Sequence, residues 1–182
     1  MSGHATSAAA NSTPATTRAD ANATQTRRDA TGIRLSRTLP SSPELVFRAL
    51  SQSEHLMRWW GPPNCRVVEC HVDFRVGGAW HYRLASADGT QHWSRAVYRE
   101  IVPNRRIVYA ETGSDAAGRV VNDRPASVGT LSLTPVPQGT RLDVRLVFVS
   151  ALDLDRAVAN GVEAGFGAAL DQLDELLTRL TG

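Results

Sequence analysis

Three histidines, a tyrosine and a glutamate carry the side chains of this sequence most suited to reaction. His71, His81 and His92 fall on three successive strand-like segments, and with Cys65 or Asp73 they would offer nitrogen, sulfur and oxygen ligands. No two of them have the short spacing of a zinc knuckle or of a ligand pair on one helix, so no metal site is assigned. His92, Tyr98 and Glu111 are the candidates for acid–base work, since burial against a cavity would shift the pKa of His92 or Glu111. On a strand, each is read first as a solvent-facing or paired residue, and no catalytic residue is assigned. Nucleophile signatures are missing: there is no G-x-S-x-G, and neither Cys65 nor Cys70 stands at a recognisable helix start. Gly77-Gly78 runs into a strand without the wider glycine pattern of a phosphate loop, and no cofactor is implied.

The tryptophans point elsewhere. Trp59-Trp60-Gly61-Pro62-Pro63 and, a strand later, Asp73-Phe74-Arg75-Val76-Gly77-Gly78-Ala79-Trp80 place three of the four indoles at element ends beside backbone breakers. An indole buries a large apolar area and needs water or a partner only at its N–H, so such a cluster walls either a core or an apolar cavity. Both readings stay open for Trp59, Trp60, Trp80 and Tyr82, and the strand period does not settle which way Trp93, Tyr98 and Tyr109 face. Asp73 and Arg75 are expected to pin the hairpin by pairing.

The elements that hold these residues are legible from period and punctuation. Ile33 to Leu39 alternates as a first strand, and Ser42-Pro43 starts a short helix with Leu45, Val46, Ala49 and Leu50 on its apolar face. A second short helix from about Ser53, capped by that hydroxyl, stops at Gly61-Pro62. Val68, Cys70, Val72 and Phe74 then share one face of a strand, which puts Cys65 and Cys70 on opposite faces as free thiols. Hairpin signals follow at Gly77-Gly78 and Asp88-Gly89, with strands over 91–102, 107–111, 128–134 and 140–149. Residues 113–126 read as a long polar loop. From Leu152 to Leu180 the spacing becomes helical, and Gly161, Gly165 and Gly167 either break this helix, admit a neighbour's backbone or leave room for a guest. Residues 1–31, rich in Ala, Thr, Ser and Asn, are expected to be a disordered tail whose removal leaves the melting temperature nearly unchanged.

The order of elements, with the segments WWGPP, DFRVGGAWHY, YREIVPNRRIVY, SLTPVPQGTRLDV and GFGAALDQLDELL, resembles the SRPBCC or START-like superfamily over about Gly32 to Leu180. Within it the chain is similar to the branch named after the heat-shock protein 90 ATPase activator, C-terminal-domain type. The resemblance implies an α+β helix-grip (START-like) fold over residues 32–182: a curved antiparallel sheet wrapped around a long C-terminal helix, with two short helices after the first strand. It also implies a cavity for an apolar or aromatic small molecule between sheet and helix. The residues expected to line it are Trp59, Trp60, Trp80, Tyr82, Tyr98, Phe148, Gly165 and Phe166. Two alternatives accompany this carrier reading: an enzyme of polyketide cyclase or dehydratase type, and a chaperone-interaction module. An inward-facing ionisable pair favours the enzyme, a dry cavity the carrier, and a filled interior the interaction module.

Composition narrows the partners. A length of 182 residues with 42% hydrophobic content suits one domain, and no apolar run is long enough to span a bilayer. All 20 basic residues are arginine, which removes Schiff-base chemistry. With a net charge of +2 and its arginines spread along the chain, the sequence shows no nucleic-acid footprint. Without a signal-like apolar start, and with two free thiols, the expected location is the cytoplasm.

Overall fold

Strand β2 (Gly32–Leu39) turns Ile33, Leu35 and Leu39 to the interior at 1% exposure or less, as its alternation requires. In the computed structural model, which describes residues 23–122 and 124–181, β2 lies between two partners. One is β1 (Gln25–Arg28) and the other is β8 (Gly139–Phe148). The remaining strands are β3 (Cys65–Val72), β4 (Ala79–Ser86), β5 (Gln91–Val102), β6 (Arg106–Ser114) and β7 (Ser127–Val136). All eight form one antiparallel sheet in the order β1-β2-β8-β7-β6-β5-β4-β3.

Two short helices leave β2. In α1 (Pro43–Ala49) Ser42 Oγ accepts from the Leu45 N–H, and Pro43 fills the first turn where its missing N–H leaves nothing unpaired. Helix α2 (Ser53–Trp59) differs from the reading above: Gln52 holds the cap position and Ser53 is already helical, so the hydroxyl caps nothing. Of the alternatives for the C-terminal glycines, Gly161 breaks the helix: it separates α3 (Ala151–Ala159) from α4 (Val162–Thr181), with a φ of +78° that an L side chain resists. On α4, Leu170, Leu173, Leu176 and Leu177 are at most 1% exposed against the sheet's concave face. This is the α+β helix-grip architecture expected, with a curved open sheet and a long last helix.

Three expectations about the strands and the loop between them fail for identifiable reasons. A bulge between Val67 and Glu69 shifts the register of β3, so Val67, not Val68, is buried beside Cys70 and Val72. The same bulge puts Cys65, opposite Ser86, and Cys70, opposite Tyr82, on one face; both are free thiols. The segment 113–126 is shorter as a loop than expected, because β6 runs to Ser114 and the Asp115 carboxylate accepts from the Ala117 and Arg119 N–H groups to close a turn.

The boundary at residue 31 also moves. Gln25–Arg28, placed above in the disordered tail, are an edge strand paired with residues 33–36, and Arg28 forms an ion pair with Glu163 on α4. All four side chains are exposed, so no apolar pattern marks them, and the strand is held by its backbone. Residues 1–22, the remainder of the expected tail, lie outside the described residues. Deleting residues 1–31 is therefore expected to lower stability by about 1–2 kcal/mol, from lost ladder hydrogen bonds at roughly 1 kcal/mol each or less. A thermal melt of the truncated chain checks this.

Candidate functional site

The concave face is organised in rows across the strands. Trp80 stands opposite Ala96, Ala96 opposite Glu111, Glu111 opposite Ser127, and Ser127 opposite Phe148. One row along, Tyr98 faces Tyr109, and Tyr109 faces Gly129. On the other side Tyr82 faces Ser94, which faces Gly113. The Gly77-Gly78 turn fixes the start of this lattice: Gly77 N–H donates to the Tyr98 carbonyl at 2.8 Å, and Tyr98 N–H to that of Gly78 at 3.0 Å. Asp73 and Arg75 form the expected ion pair beside it, at 2.9 Å.

Five of the rings expected at the site meet. Trp60 packs edge-on against Trp59, Trp80, Tyr82 and Phe166 with centroids 4.9–6.1 Å apart, while Trp80 and Tyr82 stack at 4.4 Å. Trp60 and Phe166 are half-buried, whereas Trp80 and Tyr82 are buried. Trp59 also serves as an anchor, its Nε1–H donating to the Ala49 carbonyl at 2.9 Å and tying α2 to α1. Tyr98 belongs to a second group, against Phe74 at 5.1 Å, and Phe74 in turn meets Phe47 at 5.6 Å. Phe148 is buried at the far end of the Trp80 row. At Gly165 an added Cβ would sit 3.8 Å from Pro62, and at Gly167 it would meet nothing within 4 Å. Gln172 on α4 donates to the Gly61 carbonyl at 2.8 Å and fastens the helix to the same turn.

Among the described residues this face carries an inward carboxyl, that of Glu111. Glu111 accepts a hydrogen bond from the Tyr82 hydroxyl, so the carboxyl that could be read as solvent-facing is the paired one. Desolvation pushes the Glu111 pKa up, against the opposing pull of the Tyr82 hydrogen bond and the Arg124 charge. Tyr82 is pushed up as well, by burial and then by the Glu111 charge. Arg124 donates to Ser94 Oγ and the Trp93 carbonyl at 2.9 Å each, which closes the rim around the carboxylate. The hydroxyls of Tyr98 and Tyr109 are buried without a hydrogen-bond partner among the described residues, and burial raises both pKa values. Trp80 Nε1–H has the Cys70 thiol as its polar neighbour but makes no hydrogen bond that meets normal geometry.

The other candidates are elsewhere. His71 and His81 face each other on the convex side, where His81 stacks on Trp93 at 4.5 Å, and His92 is exposed at the start of β5. Gly129 was not singled out from the sequence, yet the Tyr109 ring lies where its Cβ would be, 2.3 Å away. A glycine in mid-strand was the available signal, since it marks a place where another group comes close. One surface groove lies on the convex face and another beside Arg37 and α4, and none of the eight expected lining residues borders either.

The family described as Activator of Hsp90 ATPase homolog 1-like protein matches residues 40–178. A Chromobacterium violaceum protein of known crystal structure is 30% identical, over 81% of this chain and 96% of that one, with a TM-score of 0.68. A Mycobacterium smegmatis protein is 21% identical over 84% and 95% of the two chains, with a TM-score of 0.77, and shares the fold. A Nitrosomonas europaea protein is 24% identical over 82% and 95%, at a TM-score of 0.70. No curated protein matches the sequence significantly. The family match spans most of the described domain, from the end of β2 through α4, and the sheet and helices have the form expected of it. The chain belongs to the Activator of Hsp90 ATPase homolog 1-like family.

Proposed function

We propose that this protein binds a small molecule with an aromatic or apolar body and a polar end, between the concave sheet face and the first half of α4. Family membership supports a small ligand-binding or interaction domain. The observation that carries the finer reading is the polar group inside an aromatic interior: Glu111 held by Tyr82, with the Tyr98 and Tyr109 hydroxyls lacking partners. A buried polar group without a partner costs about 1–3 kcal/mol, and a ligand that hydrogen-bonds to these groups removes that cost. Trp60 and Phe166, the half-buried members of the ring cluster, form the entrance, and they must part for the guest to enter.

The test uses the full chain and an uncharged fluorescent probe, N-phenyl-1-naphthylamine, with native mass spectrometry of protein purified from its own host. Phe166→Ala is expected to weaken probe binding several-fold, since deleting one ring contact removes about 1 kcal/mol or more. If Phe166→Ala lowers only the melting temperature and leaves probe affinity unchanged, the site is elsewhere.

A second reading follows from Glu111 itself. A carboxyl with a raised pKa, hydrogen-bonded to a tyrosine and still reachable through its residual exposed surface, is equipped to take or give a proton, as a cyclase or dehydratase requires. The interaction-module reading draws on the family name, and failure of every small molecule to bind would favour it. Among the described residues no helix is long and apolar enough to cross a membrane. With free Cys65 and Cys70, we place the protein in the cytoplasm.

A further inference from the structure

The convex face of the sheet gathers arginines that the sequence scatters. Arg27 on β1 stands opposite Arg34 on β2, and Arg34 stands opposite Arg145 on β8. Arg106 on β6 joins them from the neighbouring row. All four border one groove of about 510 Å³, whose wall also carries the hydroxyls of Thr130 and Ser132. Like charges directly opposite one another on a sheet are destabilising. A face that needed only solubility would alternate its signs, so three guanidinium groups in one cross-strand row call for an anionic counterpart.

Internal acids meet that need only in part. Asp29 lies 3.3 Å from Arg145 and 3.7 Å from Arg34, shared between the two, and Glu100 lies 3.5 Å from Arg106. Asp143, the groove's own carboxylate, is engaged by Arg141 at 2.9 Å. Arg27 has no ion pair among the described residues. Arginine presents a planar fork of donors that matches phosphate oxygens two at a time. The groove's volume suits a small molecule, and its wall has no aromatic side chain on which a base would stack, as single-stranded nucleic acid requires.

We propose that this groove is a second binding site, independent of the interior one, for the di- or triphosphate group of a small molecule. Two sources share that chemistry, a free inorganic oligophosphate and a nucleotide.

Isothermal titration of the full chain with inorganic tripolyphosphate, against sulfate at matched ionic strength, tests it. Saturable one-to-one binding is expected for tripolyphosphate and not for sulfate. Arg34→Gln and Arg145→Gln should each weaken it about tenfold, the scale of one charge-assisted bidentate contact. Asp29→Asn, which removes the carboxylate competing for both arginines, should tighten it several-fold. Arg66→Gln, also on the convex side but outside the groove, should leave it unchanged. Circular dichroism confirms that each variant is folded. ADP binding no tighter than pyrophosphate would support the site and identify a free oligophosphate; tighter binding would support it and identify a nucleotide. Absence of saturable binding at millimolar tripolyphosphate would overturn the proposal. So would an Arg66→Gln effect equal to that of Arg34→Gln, or an oligonucleotide that outcompetes tripolyphosphate.

Discussion

Replacing Trp80 with alanine is expected to lower the stability of this protein by about 3–5 kcal/mol, the range for deleting a buried large aromatic side chain. The indole is 4% exposed and touches Tyr82 at 4.4 Å and Trp60 at 4.9 Å, so its loss opens a void that two other rings border. In a domain of this size each kcal/mol moves the melting temperature by about 2–4 °C, which puts the expected drop near 10 °C or more. Trp60→Ala should cost less, because that ring is only half-buried although it has more ring neighbours. Thermal melts of the two variants and of the double mutant give their coupling, expected at about 0.5–1.5 kcal/mol for a direct aromatic pair. A loss below about 1 kcal/mol for Trp80→Ala would show that the ring cluster is not packed as the structure has it.

Glu111→Gln is expected to change how stability responds to pH. Because desolvation raises the native pKa of Glu111 above its unfolded value, the folded state binds the proton more tightly than the unfolded chain does. The resulting stabilisation is complete below the unfolded pKa of about 4.3, and it is lost as pH rises through the native value. The glutamine variant carries no such proton and should lack that descent, so its melting temperature gains on the parent's as pH rises through the window. A parent and variant that keep parallel profiles from pH 4 to 8 would mean that Glu111 is solvated like a surface carboxylate. If the protein also transfers protons, the same substitution should lower the rate by about 10²- to 10⁴-fold while probe affinity stays within a few-fold.

What the sequence revealed depended on whether each feature was local. The first strand, the Ser42-Pro43 helix start and the Asp88-Gly89 hairpin rest on adjacent residues, and all three stand where their patterns put them. On β4, Trp80 and Tyr82 are buried on one face two positions apart, as strand geometry requires. The β3 bulge is different, because one unpaired residue inverts every facing before it and leaves no mark in a run of Val-Val-Glu-Cys. Strand β1 was missed since its residues Gln-Thr-Arg-Arg bury nothing and gain only backbone pairing. At the interior site the strand period left the facing of Tyr98, Tyr109 and Glu111 open, and it is the burial of Ile107 and Tyr109 that puts Glu111, two positions on, on the inward face. Its Tyr82 partner lies 29 positions earlier and becomes visible only through the pairing of three strands. The convex arginine row was the least legible: Arg34 and Arg145 are neighbours only because β2 pairs with β8.

That β2–β8 pairing has a consequence for how the chain comes into being. Ile33 finds Leu146 across more than a hundred intervening residues, and the helix that covers the concave face comes after all eight strands. While the ribosome works through β3 to β7, their hairpins can zip and Trp80 and Tyr82 can meet Trp60, yet Leu170, Leu173, Leu176 and Leu177 of α4 have not emerged to cover them. The nascent molecule therefore carries its apolar concave face uncovered until that helix emerges, a condition in which long-range closure is slow and self-association competes.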